Sequence, residues 1–261
     1  MSRDFPPVRH IVFKALSVRD ALYLDTNAWS ALAKGLADAK PLADWLARTN
    51  STIAITRFSI GELTKDDRLA EKLADVITLL GAFFVDLGTN DLDGQRWRLV
   101  PYELVQSLRP ADADAKAALV ELLRNGEIRK SMAGIRADAT KWQARIERLI
   151  RRRSKWTWDQ FDEMLRQFIR STCKACGRAI NEKGLTDNNS YVGIKLAFGI
   201  AYQRYFLNGQ PFRPSDYVDY LHASDMAYFK TVVTERGTCE AIKQVQRRLL
   251  GLGPRDVHVL K

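Results

Sequence analysis

The sequence feature that most constrains the fold is a short apolar run, Ala21-Leu-Tyr-Leu24, that ends abruptly in Asp25-Thr-Asn27. A helical pattern follows at once, so a strand passes directly into a helix at this point. Apolar or β-branched runs recur at 51–56 and 82–87, and helical patterns lie between them. Strands that alternate with helices predict a parallel sheet covered by helices.

A helical middle separates the two halves of the predicted sheet. Between 89 and 190 we expect no strand, and helices are predicted over 111–123, 135–153 and 158–170. The alternating pattern then returns, with strands predicted over 231–234 and 257–260 and helices over 191–206, 216–229 (capped by Ser215) and 238–249. We therefore predict an α/β fold with a central parallel sheet, a discontinuous core over 20–88 and 190–261, and a basic helical insertion or subdomain over 89–189.

Charge and composition narrow the classes of partner. The chain has 261 residues and a formal net charge of +10, which favours a polyanion such as nucleic acid. No apolar run reaches the roughly 20 residues of a membrane-spanning helix, so a membrane partner is not expected. No secretory signal is visible, and three cysteines make no disulfide framework, so we expect a cytoplasmic protein.

Acidic residues recur where predicted strands end or predicted helices begin. Because the carboxyl ends of parallel strands share one edge of the sheet, these carboxylates would converge there and repel one another. Mg²⁺ or Mn²⁺ relieves such repulsion, since both ions prefer carboxylate and water ligands, and either ion can activate water for attack at phosphorus. The acids are Asp25, Glu62, Asp216, Asp219, Asp225 and Glu235.

Each of these acids also has an ordinary structural interpretation. An acid that directly follows a strand is often a helix N-cap, and this role alone would account for Asp25. Asp216 lies close to a predicted N-cap and is the member of the set that best fits a purely structural role. Asp225 and Glu235 could be solvated surface charges. We favour the functional interpretation because the acids recur as an ordered set, which remains a hypothesis.

Four short blocks, in this order, resemble the PIN-domain superfamily of metal-dependent nucleases. The resemblance covers the two core segments and leaves out the basic middle. It implies a PIN-like three-layer α/β/α fold, an acidic pocket, and Mg²⁺- or Mn²⁺-dependent cleavage of RNA. The blocks are Leu22–Asn27, Ser59–Glu62, Asp216–His222 and Val232–Glu235.

Carried over residue by residue, the resemblance implies two metal ligands, Asp25 and Asp219. Glu62 would hold the metal as well or orient a water on it. Asp219 is preferred to Asp216 because its spacing to the block around Thr234 fits the family better. The choice between these two aspartates stays open at this point.

The fourth catalytic position of the resemblance falls on Glu235, where the family usually has the shorter Asp. Occupancy by a second metal ion therefore stays open. Asn27 and Thr234 would support the site through an amide and a hydroxyl. His222 would either touch a substrate phosphate or, as is commoner for such a histidine, form a hydrogen bond within the fold. The supporting residues are Asn27, Ser59, Thr234, Asp216 and His222.

The densest positive run of the chain lies in the helical middle. Positive side chains neutralise phosphates, and aromatic rings such as Trp156, Trp158 and Phe161, which follow the run, can stack on unpaired bases. The alternative is an ordinary amphipathic helix with solvated arginines and core aromatic rings. We expect an apolar face turned inward and a basic face turned toward nucleic acid. The basic residues are Arg145, Arg148, Arg151, Arg152, Arg153 and Lys155.

These observations predict a divalent-metal-dependent endoribonuclease that acts on single-stranded or structured RNA. On family grounds a toxin-like or defence role fits, and the arginines would also accept an acidic inhibitor protein. Two other functions stay open, a catalytically degenerate nucleic-acid-binding module, favoured by Glu235, and a DNA nuclease. Homodimers are common in the superfamily, although the residues themselves do not specify an oligomeric state.

Overall fold

The structure is a computed structural model that describes residues 21–64, 67–85, 105–107, 156–249 and 252–259, together with isolated residues between 117 and 151. Strands and helices alternate at both ends of the described chain. The elements are β1 (Ala21–Leu24), α1 (Thr26–Ala33), α2 (Lys40–Thr49), β2 (Thr52–Thr56), α3 (Arg57–Leu63), α4 (Asp67–Leu80), β3 (Phe83–Val85), β4 (Val105–Ser107), α5 (Trp158–Ala175), α6 (Glu182–Thr186), α7 (Val192–Ala201), a π-helix (Tyr202–Leu207), α8 (Pro214–Met226), β5 (Thr231–Thr234), α9 (Arg236–Arg248) and β6 (Asp256–Val259).

The strands form one sheet in the order β4-β3-β2-β1-β5-β6. Five of them are parallel, and β4 pairs antiparallel with β3 at the edge. Strand β1 lies in the middle, where Leu22 is in register with Ile53 on one side and Thr231 on the other. All four β1 residues are buried, as expected for a parallel strand covered on both faces. The predicted α/β fold with a central parallel sheet is confirmed.

Two hydrophobic cores lie on opposite faces of this sheet, because successive side chains of a strand point to opposite sides. Leu22 and Leu24 pack with Trp29 in the core formed with α1 and α4. Tyr23 packs with Val232 in the core formed with α7, α8 and α9. Helices therefore cover both faces of the sheet. Polar side chains can gather where the parallel strands end, along the side of the sheet that we call its carboxyl edge.

Two local predictions are wrong. The segment 89–190 does contain a strand, since Val105–Ser107 pairs with Phe83–Val85. The helix predicted to begin after Ser215 instead spans Pro214–Met226, with Arg213 as its N-cap. Proline fits this first helical position because the missing N–H has no intrahelical partner there. The described residues of the predicted helices 111–123 and 135–153 are helical, and the rest of those helices lies outside the described residues.

Helix α5 joins the middle of the chain to the core. Thr157 and Gln160 form a reciprocal capping box at its start, which satisfies two backbone N–H groups. Leu165 and Ile169 on its buried face pack against Tyr191 at the start of α7. The carboxyl-terminal part of the predicted insertion is thus packed directly on a core helix.

Helix α7 is the apolar helix of the core, with Val192, Leu196 and Ile200 buried against α8 and α9. It passes without a break into the π-helix Tyr202–Leu207. Among the described residues, no helix has the length and apolar character needed to cross a bilayer. This π-helix carries Arg204, which contacts acidic residues described in the next subsection.

Gly199→Ala tests the close approach of α7 and α9. A Cβ atom at Gly199 would lie 2.7 Å from the Val245 Cγ1 atom, so the two helices would have to separate. We expect the free energy of unfolding to fall by about 1–3 kcal/mol, measured by urea denaturation. Gly134→Ala is the control, because nothing lies within 4 Å of its added Cβ, and it should stabilise the protein slightly. Equal effects of the two substitutions would contradict this packing.

Candidate active site

The carboxyl ends of β1, β2 and β5 lie side by side at one edge of the sheet. Asp25 directly follows β1, and Glu235 directly follows β5. Glu62 lies on α3, which begins at the residue after β2. Three acids from distant parts of the chain are therefore brought to one edge by the topology alone.

A cleft of about 380 Å³ opens at this edge. The side chains of four acids line it: Asp25, Glu62, Asp219 and Glu235. Thr26, Asn27, Lys34, His222, Thr234 and Thr238 are further lining residues. The acids that the sequence analysis placed in catalytic positions thus border a single cleft. Asp216 and Ser59 do not line it.

The Asp25 carboxylate ties two elements together at the base of this edge. Its Oδ1 atom accepts a hydrogen bond from the Ala28 N–H at 2.9 Å, so Asp25 is the N-cap of α1. Its Oδ2 atom accepts from the Glu235 N–H, also at 2.9 Å. Both the structural and the functional interpretations of Asp25 are therefore compatible with its position, since each oxygen keeps a further lone pair.

A buried histidine orients Glu62. The His222 Nε2 atom lies 3.1 Å from Glu62 Oε2 and 3.0 Å from Thr26 Oγ1, and Nδ1 lies 3.0 Å from the Tyr23 hydroxyl. Because a carboxylate only accepts, Nε2 carries a proton toward Glu62. Burial raises the pKa of the Tyr23 hydroxyl, with a further contribution from Asp225, so Tyr23 remains protonated and can donate to Nδ1.

An arginine lies between the other two acids. Arg204 Nη1 is 3.5 Å from Asp219 Oδ2, and Arg204 Nη2 is 3.7 Å from Glu235 Oε1. Nη2 also donates to the Thr238 hydroxyl at 3.0 Å, and that hydroxyl donates to Glu235 Oε1 at 3.2 Å. One arginine therefore contacts both Asp219 and Glu235, whereas backbone N–H groups hold Asp25 and a histidine holds Glu62.

Partial burial raises the pKa of the Asp219 carboxyl above its ordinary value of 3.8, and Arg204 opposes this shift. The folded protein therefore holds this proton more tightly than the unfolded chain. The resulting stabilisation is fully present below pH 3.8 and is lost as the pH rises through the native pKa.

Arg204→Met should raise the pKa of Asp219 further, because it removes the positive charge that lowers it. NMR titration of the labelled aspartate carboxyls measures this pKa, and Asp219→Asn assigns the resonance. An unchanged or lower pKa of Asp219 in Arg204→Met would contradict the ion pair.

The supporting residues of the sequence analysis fall into two groups. Thr234 is buried and lines the cleft, and its Oγ1 atom has no hydrogen-bond partner among the described residues. Asn27 lines the cleft from the start of α1. Ser59 is fully buried, 3.4 Å from the Thr56 hydroxyl. Thr234 and Asn27 therefore belong to the cleft lining, whereas Ser59 is enclosed in the fold.

The two aspartates of α8 differ in their contacts. Asp216 Oδ2 accepts from the Arg213 N–H at 2.8 Å and from the Tyr205 hydroxyl at 2.7 Å, which caps the helix. Asp219 lies one turn later and lines the cleft. The sequence analysis allowed Asp225 to be a solvated surface charge. This interpretation is wrong, because Asp225 is buried.

The donor chemistry of the cleft fits a hard divalent cation. Carboxylates, the Asn27 amide and the Thr234 hydroxyl offer the oxygen ligands that Mg²⁺ and Mn²⁺ prefer. The unpartnered buried oxygen of Thr234 is an additional polar group for which a ligand would provide a partner. Within the described residues, however, no three His, Cys, Asp or Glu side chains are grouped as a ready-made metal site. The side chains border an open cleft rather than a closed coordination sphere.

The basic run is only partly described. Arg148 and Arg151 are exposed on helical segments, and Arg151 pairs with Glu147 at 3.2 Å. The predicted nucleic-acid contacts Arg145, Arg152, Arg153 and Lys155 lie outside the described residues.

The aromatic rings after the basic run pack against the core helices. Trp156 stacks on Phe206 with a centroid distance of 5.4 Å, and Trp158 meets Tyr202 edge-on at 5.1 Å. Phe161 is buried. These contacts favour the structural interpretation of the rings over base stacking.

Sequence reasoning missed three polar residues of this region: Arg204, Lys34 and Thr238. Arg204 had one visible indication, because it is a single arginine within the apolar segment 191–206. A charge in such a segment is costly to bury unless it is paired, which predicts a nearby carboxylate without identifying it.

No protein-family model, no curated protein and no solved structure matches this chain. A function is therefore inferred from the cleft, its charges and the positive balance of the whole chain.

Proposed function

We propose that this protein is a divalent-metal-dependent endoribonuclease with a PIN-like core. The observation that carries the proposal is the single cleft lined by Asp25, Glu62, Asp219 and Glu235 at the carboxyl edge of a parallel sheet. This edge is where open α/β sheets bind their ligands. The four motif blocks that resemble PIN domains each contribute a lining residue.

Asp25 and Asp219 would hold the metal ion, with Glu62 nearby. When bound, Mg²⁺ or Mn²⁺ would supply Lewis-acid activation of water and neutralise charge on the phosphate. Glu62, which is held by His222, orients the attacking water and takes up its proton. Lys34 at the cleft attracts the phosphate backbone through its positive charge.

The positive balance of the chain supports a nucleic-acid substrate. A net charge of +10 favours polyanions, and a shallow groove along the end of α5 and the residues after it has three basic side chains in its lining, Arg170, Lys174 and Arg178. Single-stranded or structured RNA is the proposed substrate, and a toxin-like role with an acidic inhibitor protein is consistent with this surface.

The proposal is tested by incubating the purified protein with end-labelled RNA and Mn²⁺, with and without chelator. We expect internal cleavage that requires the metal ion. A parallel reaction with single-stranded DNA of the same sequence distinguishes a ribonuclease from a DNA nuclease. RNA binding without cleavage under any metal condition would favour a non-catalytic binding module, which the Arg204 contacts with Asp219 and Glu235 make the second candidate.

A further inference from the structure

Arg204 reaches the acidic cleft from a π-helix. The segment Tyr202–Leu207 continues α7 with wide turns, and the Asn208 N–H bonds the Gln203 carbonyl at 3.1 Å, five residues back. Such π-helical turns are rare and occur frequently at functional sites. Here the turn carries an arginine that contacts two cleft acids, Asp219 and Glu235.

The guanidinium of Arg204 is held by three groups at once. Asp219 Oδ2 and Glu235 Oε1 lie 3.5 and 3.7 Å from its two terminal nitrogens, and Thr238 accepts a hydrogen bond at 3.0 Å. Thr238 in turn donates to the same Glu235 oxygen. Glu235 Oε1 is therefore engaged by the arginine and the threonine together.

Burial differs across this group. The Arg204 side chain is 15% exposed, whereas those of Asp219 and Glu235 are each 51% exposed. The arginine is thus a fixed charge behind two half-exposed carboxylates. If Arg204 moved away from Asp219 and Glu235, its largely buried guanidinium would have no partner, which is energetically costly. Arg204 therefore stays in place when a cation binds.

The charges of the cleft balance with one divalent ion. Its lining contains four carboxylates and Lys34, and Arg204 adds a second positive side chain. One Mg²⁺ or Mn²⁺ would neutralise the remaining two negative charges. A second divalent ion would leave an excess of positive charge beside a buried arginine, which raises the electrostatic cost of its binding.

We propose that Arg204 takes the place of a second metal ion, so that the cleft binds a single divalent cation. The inference rests on the proposed function. Asp219 Oδ2 faces Arg204, so Asp219 would have its other oxygen available to hold the metal, whereas Glu235 is the partner of Arg204 and Thr238. Arg204 is therefore a positioning residue that holds these two carboxylates apart from a second ion.

The test is the stoichiometry and affinity of Mn²⁺ binding, measured on the full chain by equilibrium dialysis and by the electron paramagnetic resonance signal of free Mn²⁺. We expect one ion per chain in the wild type. Arg204→Met fills the same space without charge and should bind a second ion or bind Mn²⁺ about tenfold more tightly, since a unit charge beside a divalent ion in watery surroundings changes affinity by about that factor. Arg204→Lys keeps the charge and should retain one ion.

The matched control is Arg124→Gln, which breaks an exposed arginine–glutamate pair outside the cleft and should leave Mn²⁺ binding unchanged. Circular dichroism verifies folding, and Arg204→Gln replaces Arg204→Met if the latter does not fold. Two ions in the wild type, or unchanged binding in a folded charge-removing variant, would overturn this inference and leave the nuclease proposal standing. Absence of Mn²⁺ binding by the wild type would overturn both.

Discussion

Asp25→Asn should reduce the proposed Mn²⁺-dependent cleavage of RNA by about a thousandfold, because it removes the negative charge of a proposed metal ligand from the cleft lining. Asn is as good an N-cap as Asp, so the start of α1 should survive the change. The Ala28 and Glu235 N–H groups each bond a different oxygen of Asp25, and an amide has only one oxygen. One N–H group therefore loses its acceptor, and we expect the free energy of unfolding to fall by about 1–3 kcal/mol.

Single-turnover cleavage of labelled RNA, together with thermal unfolding, separates these two effects of the Asp25 substitution. The matched control is Asp44→Asn, which changes an exposed aspartate of α2 that does not line the cleft. Cleavage by Asp25→Asn at the wild-type rate would exclude this cleft as the catalytic site. A loss of cleavage that disappears after correction for the unfolded fraction would reduce Asp25 to its capping role.

Trp29→Ala should lower the free energy of unfolding by about 3–5 kcal/mol. Trp29 is fully buried on α1, where it packs with Leu22 and Leu24 of the central strand. Its removal leaves a large cavity directly behind the helix that Asp25 caps. Urea denaturation followed by circular dichroism measures the change.

Trp45→Ala is the comparison for this core substitution, because Trp45 lies exposed on α2 and should cost much less. Trp29→Phe is a second comparison, and it should lower the free energy of unfolding less than Trp29→Ala does. The Trp29 indole N–H is buried without a hydrogen-bond partner among the described residues, so removing this polar group compensates for part of the lost packing. Similar costs for Trp29→Ala and Trp45→Ala would contradict the core that we describe.

The strands that the sequence predicts well lie at the centre of the sheet. Ala21–Leu24 and Thr231–Thr234 are apolar or β-branched, short, and followed at once by polar residues, and both are parallel strands. The order of acids after these strands predicted a shared edge. Parallel topology accounts for this success, because it brings every strand end to the same side.

The features that escaped prediction depend on contacts between distant residues. The three-residue strand Val105–Ser107 is too short for a periodic pattern and exists through its pairing with Phe83–Val85. Arg204 pairs with Asp219 and Glu235, which belong to two other elements. Tertiary packing determines such contacts, and the local sequence does not identify the partner.

The pairing of β1 with β5 has a consequence for the order of events during synthesis. Asp25 and the Glu235 N–H that binds it are 210 residues apart. A nascent chain that has emerged only as far as β3 holds Asp25 and Glu62 but lacks the elements that carry Asp219 and Glu235. If the protein cuts RNA, the growing polypeptide is therefore harmless to its own messenger and ribosome until β5 has been made and has docked beside β1.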